Sequence, residues 1–93
     1  MLLQDKIAVV TGASRGIGRA TAKALAREGA VVIVNYNGSK ERADEVVSEI
    51  EKDGGKAKAI QCNVSDFEQA KEFFGGVVKE YGRIDILVNN AGI

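Results

Sequence analysis

"KIAVVTGASRGIGRATAKALAREG", Lys6 to Gly29, decides how the rest of the chain is read. Lys6 to Gly12 is a short apolar, β-branched run ending in glycine, which reads as a buried strand. From Gly16 to Glu28, Ile17, Ala20, Ala24 and Leu25 fall at i, i+3, i+7 and i+8, one stripe of a helix. Gly29 closes it as a C-terminal cap. Between strand and helix lies "TGASRGIG", Thr11 to Gly18, with spacing G-x-x-x-G-x-G. Gly12 lets the backbone turn off the strand. Gly16 removes a side chain where a pyrophosphate would approach, and Gly18 lets the helix pack closely on the sheet. N–H groups at the helix start then face the phosphates, aided by the helix dipole. Glycines alone would be turn residues; placed after a strand, opening a helix, inside a βαβ unit, they point to a dinucleotide.

Working outward, Val31 to Tyr36 is a second buried strand. Ser39 starts a helix whose Ala43, Val46, Val47 and Ile50 share a face, closed by Gly54 and Gly55. Ala57 to Val64 reads as a third strand, and Ser65 with Glu68 as a capping box. The helix it opens carries Ala70, Phe73, Phe74, Val77, Val78 and Tyr81 and ends at Gly82; Ile84 to Asn90 is the fourth strand. The order β-α-β-α-β-α-β, with solid apolar strands, implies a parallel sheet covered by helices on both faces. Residues 1–93 hold one domain at most. One pair jars: Gly75-Gly76 lies inside the third helix, at a cost of roughly 1 kcal/mol per Gly relative to Ala.

Composition narrows the function. With 45% hydrophobic and 28% charged residues the chain matches a soluble globular protein. Its 13 basic and 13 acidic residues cancel, so neither nucleic acid nor a membrane surface is indicated as partner. No apolar run approaches the roughly 18 residues of a membrane span, and the N-terminus lacks an export signal. The lone Cys62 forms no internal disulfide, which favours a cytoplasmic location. Without histidine there is no Ser-His or Cys-His nucleophile and no His metal ligand.

"TGASRGIG", "CNVSD" and "NNAG", in this order and spacing, resemble the short-chain dehydrogenase/reductase family. The stretch from Lys6 to Val47 is most similar to its 3-oxoacyl-[acyl-carrier-protein] reductases, while sugar and steroid members share this half. The resemblance implies a Rossmann-type α/β half with four parallel strands ordered 3-2-1-4, three helices and a nicotinamide dinucleotide. Carried over by position, the cofactor residues are Gly12, Ser14, Arg15, Gly16, Ile17 and Gly18 in the loop and Tyr36 and Asn37 after the second strand. Asn63 and Val64 follow the third, and Asn89, Ala91 and Gly92 the fourth.

Several of these carry their own chemistry. An NAD site offers an acidic residue for the ribose 2′-OH after the second strand. Here Tyr36 holds that place, 18 residues after Gly18, with no carboxylate to repel a 2′-phosphate. The expected cofactor is therefore NADP(H), with Arg15 as the phosphate's partner and Ser39 and Lys40 close by. Arg15 as a plain solvated loop arginine is the alternative. Where the family usually has Asp-Val to hold adenine, this chain has Asn63-Val64; Asn keeps a carbonyl acceptor but loses the charge, and it also suits a turn. Asn89 and Asn90 would tie neighbouring strands together, Asn89 being either structural or ligand-contacting.

The family's catalytic signature is Tyr-x-x-x-Lys, and "YNGSK", Tyr36 to Lys40, satisfies it only on paper. The chemistry needs both side chains on one face of a continuous helix, whereas Tyr36 ends a strand and Asn37-Gly38-Ser39 is a turn. Tyr81 is followed four residues on by Asp85 rather than Lys. No catalytic residue is expected among these residues: the family's Ser, Tyr and Lys belong after the fourth strand.

The chain closes on "ILVNNAGI", Ile86 to Ile93, as the front portion of such a reductase would. Ile86, Leu87 and Val88 then form an apolar edge without a partner, which predicts a homodimer or domain-swapped assembly through strand 4. Three functions are compatible with the sequence: a half-domain that binds NADP(H) without turnover, a self-assembling engineered or excised fragment that leaves its cofactor site unused, or an enzyme completed by a second segment. The parent's chemistry would be reduction of a β-ketoacyl thioester.

Overall fold

Apolar β-branched runs and amphipathic segments alternate along the chain, and each becomes the element its pattern dictates. The computed structural model describes residues 1–14 and 16–90. The elements are β1 (Ile7–Val10), α1 (Gly16–Arg27), β2 (Val31–Tyr36), α2 (Lys40–Lys52), β3 (Lys56–Gln61), α3 (Phe67–Tyr81) and β4 (Ile86–Val88). All strand pairs are parallel and the order is β3-β2-β1-β4, as expected. Side chains alternate across the sheet. Ala8, Val10, Val32 and Val34 pack beneath α1 and α2, while Ile7, Val9 and Ile33 pack beneath Phe73 and Val77 of α3.

Only β1 and β2 are the doubly covered strands the sequence suggested. β3, "KAKAIQ", alternates, with Lys56 and Lys58 in solvent, and Lys58 pairs with Glu80 of α3 at 3.0 Å. Charge on an outer strand discourages pairing with another chain. β4 has no such protection, and Leu87 is 53% exposed. Both outer strands are shorter than expected. After Gln61 the Cys62 amide still donates to the Tyr36 carbonyl at 2.9 Å, but Asn63 then folds the chain into a turn.

That turn displaces the expected capping box. The Ser65 hydroxyl donates to Asn63 Oδ1 at 2.6 Å, and Asp66 becomes the N-cap of α3, accepting from the Gln69 amide at 3.1 Å. Ser39 does cap α2, accepting from the Arg42 amide at 3.2 Å. On α1 the buried stripe is Gly18, Ala22 and Ala26 rather than Ile17, Ala20 and Ala24, all three exposed, with Leu25 on its border. Close helix–sheet approach selects the smallest side chains, so the larger Ile17 turns outward.

The three residues of β4 are clamped to β1 at both ends. At the N-terminal end the Ile7 amide donates to Asp85 Oδ2 and the Asp85 amide to the Ile7 carbonyl, each at 2.8 Å. At the other, Thr11 Oγ1 donates to Asn89 Oδ1 at 3.1 Å and accepts from the Asn90 amide at 2.9 Å. The Ile7 amide, and with it Arg83 at 2.9 Å, holds the Asp85 carboxyl below its ordinary 3.8. A carboxylate with a lowered folded-state pKa stabilises above its unfolded value, and that contribution vanishes as the pH falls through the folded value. Asp85→Asn should therefore lower stability at neutral pH. In urea unfolding the gap from wild type should close as pH is lowered from about 5 towards 2; a constant gap would contradict the charge's role.

Gly75 and Gly76 lie on the exposed side of α3, and a Cβ at either would meet nothing within 4 Å. Nothing in the structure requires glycine there. Gly75→Ala and Gly76→Ala should each raise unfolding stability by about 0.5–1 kcal/mol, measured by urea denaturation; a loss from either would contradict the open surface.

Candidate functional site

Strand order reverses between β1 and β4: the crossovers to β2 and β3 run to one side, and that from β3 returns to the other. Ligands of open parallel sheets bind where the carboxyl ends of the strands diverge at such a point. A cleft of about 710 Å³ lies there, between Leu87 and Asn89 at β4, Thr11 and Gly12 after β1, and Asn35 and Cys62 towards β3. That volume is within the roughly 300–1,000 Å³ of small-molecule sites.

The glycine loop forms one wall. Gly12 and Gly16 take φ of 60° and 61°, conformations that side-chain-bearing residues rarely adopt, and a Cβ on Gly16 would meet nothing within 4 Å, leaving its surroundings open. Gly18 is required for a different reason. A Cβ there would run into the Gly12 carbonyl oxygen and lie 2.7 Å from Asn90 Nδ2. α1 thus starts directly beneath the turn, with Gly12 and Ser14 on the cleft wall.

Asn35 holds the loop. It is 2% exposed; its Oδ1 accepts from the Gly12 amide at 3.4 Å, while Nδ2 donates to the carbonyls of Ile60 and Cys62 at 3.3 and 3.2 Å. The Ala13 amide donates to its main-chain carbonyl at 3.0 Å. One side chain therefore links the turn after β1 to the chain at the end of β3. Its one signal in the sequence is a lone amide near the end of an apolar strand.

The expected site residues divide by position. Gly12, Ser14, Asn37, Asn63, Val64 and Asn89 line the cleft together. Tyr36 does not: it is 9% exposed, and its side chain joins the apolar cluster with α1 and α2. Ile17, 73% exposed, stands outside the cleft wall. Asn63 lines the cleft, but its Oδ1 accepts from both the amide and the hydroxyl of Ser65 at 3.1 and 2.6 Å. Its carbonyl, expected to hold an adenine amino group, is already engaged in the turn. Asn89 and Asn90 do tie β4 to β1 through Thr11. Arg15, Ala91 and Gly92 lie outside the described residues.

Two further wall residues were not expected. Cys62 is 4% exposed, and burial pushes its thiol up, away from thiolate chemistry. Arg42, in the first turn of α2, is the only charged side chain on the wall among the described residues. Lys40 instead pairs with Asp44 at 2.9 Å, well apart from the helical Tyr–Lys arrangement that proton transfer needs.

The strand order and fold agree with comparisons to known proteins. The model of the short chain dehydrogenase family matches residues 6–93; the chain belongs to that family. It is 55% identical over 91 residues to an uncharacterized oxidoreductase of Methylorubrum extorquens, covering 98% of this chain and 37% of that one. It is 56% identical over 88 residues to a 3-oxoacyl-[acyl-carrier-protein] reductase of Staphylococcus aureus, covering 95% of this chain and 36% of the relative. A metagenomic short-chain oxidoreductase in complex with NADP superposes with a TM-score of 0.95 at 42% identity, over 100% of this chain and 42% of that one. The chain thus spans little more than a third of the length of the curated relatives it matches.

Proposed function

We propose that residues 1–93 form one dinucleotide-binding domain of a short-chain reductase, which holds NADP(H) across the carboxyl ends of its strands. The observation that carries this reading is the switch-point cleft itself: a glycine loop on one wall and, among the described residues, no carboxylate on any wall. A ribose 2′-hydroxyl is ordinarily held by an acidic group; its absence favours a 2′-phosphate. The NADP-bound neighbour supports the same cofactor. Gly12, Ser14, Gly16 and Gly18 would receive the pyrophosphate side, Arg15 the 2′-phosphate, Asn37, Asn63 and Val64 the adenosine side, and Asn89, Ala91 and Gly92 the cofactor ribose.

When bound, the cofactor supplies hydride; the residues of this chain bind and orient it. The similarity to 3-oxoacyl-[acyl-carrier-protein] reductase supports a whole protein that reduces a β-ketoacyl thioester, a step of fatty acid synthesis. The 93 residues carry no helical Tyr-x-x-x-Lys, so the chain alone binds without turnover. Among the described residues β4 pairs on one side only, which favours a homodimer or domain-swapped pair.

Calorimetric titration of NADPH, with NADH as control, tests the cofactor assignment. Saturable binding that prefers NADPH is expected. A folded chain that binds neither would contradict it and favour the self-assembling fragment. Light scattering should give a mass above the monomer's 9.9 kDa; a monomer at high micromolar concentration would remove the β4 interface. NADPH oxidation with a β-ketoacyl thioester should stay at background, and turnover would refute inactivity.

A further inference from the structure

Building on the dinucleotide reading above, we propose that Asn37-Gly38 is a site of spontaneous deamidation, and that the carboxylate it leaves at residue 37 weakens the cleft's hold on anionic nucleotides. The step is intramolecular. The Gly38 backbone nitrogen attacks Asn37 Cγ, a new N–C bond forms, and the side-chain nitrogen leaves as ammonia with the proton of the Gly38 N–H. Water then opens the cyclic imide at either carbonyl to give Asp or isoAsp, with no oxidation or reduction.

Three features favour this step. Both residues are exposed, in the short connection between β2 and the Ser39 cap of α2. Glycine lacks the Cβ that would hinder its nitrogen from reaching Cγ, and among the described residues the Gly38 amide has no hydrogen-bond partner. Asn37 Oδ1 accepts from Gln61 Nε2 at 3.1 Å, so a donor already sits where negative charge develops on oxygen during attack. Nothing else calls for glycine at 38: a Cβ there would meet nothing within 4 Å, and its φ lies outside the left-handed region. The comparable pair Asp53-Gly54 is protected, because the Gly54 amide donates to the Glu51 carbonyl at 3.0 Å. Asn63 precedes the β-branched Val64, and Ser65 holds its Oδ1.

Position gives the chemistry a consequence. Asn37 and Gly38 line the cleft, whose wall carries, among the described residues, no carboxylate and a single charged side chain, Arg42. A carboxylate at residue 37 would offset that cation and repel the phosphates of a dinucleotide. IsoAsp would in addition lengthen the main chain of the connection by a methylene.

The test ages the full chain in mildly alkaline buffer, where more of the Gly38 amide is deprotonated. Mass spectrometry follows the peptide holding residue 37, and calorimetry follows NADPH binding on the same samples. Residue 37 should convert ahead of Asn35 and Asn63, and Gly38→Ala should stop most of the conversion. Aged wild type and fresh Asn37→Asp should both bind NADPH about tenfold more weakly than fresh wild type, a difference that shrinks at high salt. Aged Gly38→Ala should bind as it does when fresh. A residue 37 that stays an amide, or converts as fast in Gly38→Ala, overturns the site. A converted chain that binds as tightly as the fresh one overturns the effect on the cleft. A folded fresh chain that binds no nucleotide removes the dinucleotide reading and that effect together, while the mass still decides the modification.

Discussion

Asn35→Leu should cost the domain about 3 kcal/mol or more, summing the roughly 1–3 kcal/mol of each buried polar group left unpaired. Leucine matches asparagine closely enough in size to fill the site, but it can neither accept from Gly12 nor donate to Ile60 and Cys62. The bond to Cys62 is buried and those to Gly12 and Ile60 part-buried, around a side chain that is only 2% exposed. A small domain has only about 5–15 kcal/mol in total, so a sizeable part of its stability would go. Asn35→Asp should also be costly, since a carboxylate faces two carbonyl oxygens without a donor. Urea unfolding measures both variants. A change below about 1 kcal/mol in either would mean that the turn after β1 holds itself.

Gly18→Ala carries the second large effect. The added methyl meets the Gly12 carbonyl oxygen, which is main chain and cannot swing aside, and Asn90 Nδ2, the tip of a side chain. Relief requires α1 to lift or the loop to shift, at about 1–3 kcal/mol for overpacking of this kind. Either movement displaces the N–H groups of the glycine loop, so nucleotide affinity should fall together with stability. Unfolding and NADPH titration on the same sample separate the two readouts. Unchanged affinity in a destabilised variant would show that the loop's position does not govern binding.

Most of the architecture was legible because it rests on local signals. Val31 to Tyr36 is apolar enough to be a central strand, and it is one. Ser39 was a recognisable cap, and Ala43, Val46 and Ile50 a readable stripe. Signals failed where the outcome depends on distances between elements. The α1 stripe is set by how closely the helix lies on the sheet, which favours Gly18, Ala22 and Ala26 over the more hydrophobic Ile17. The start of α3 depended on Asn63 and Ser65 bonding to each other, which made Asp66 the cap.

The site shows the same division. Glycine spacing marks the loop, but Tyr36 was placed by strand position alone, and strand alternation points its side chain into the core on the face opposite to Asn35's. Asn35 owes its role to other elements, the carbonyls of Ile60 and Cys62. Neither partner is adjacent in sequence.

The central claim is that the carboxyl ends of the strands form a working nucleotide cleft within these residues. Amide NMR spectra of the labelled chain, recorded while NADPH is added, test it most directly. The account predicts saturable shifts at Gly12, Ser14, Asn37, Ser39 and Asn63, with Lys6, Asp85 and the opposite end of the sheet unmoved. No saturable shifts, or shifts gathered at that opposite end, would contradict it.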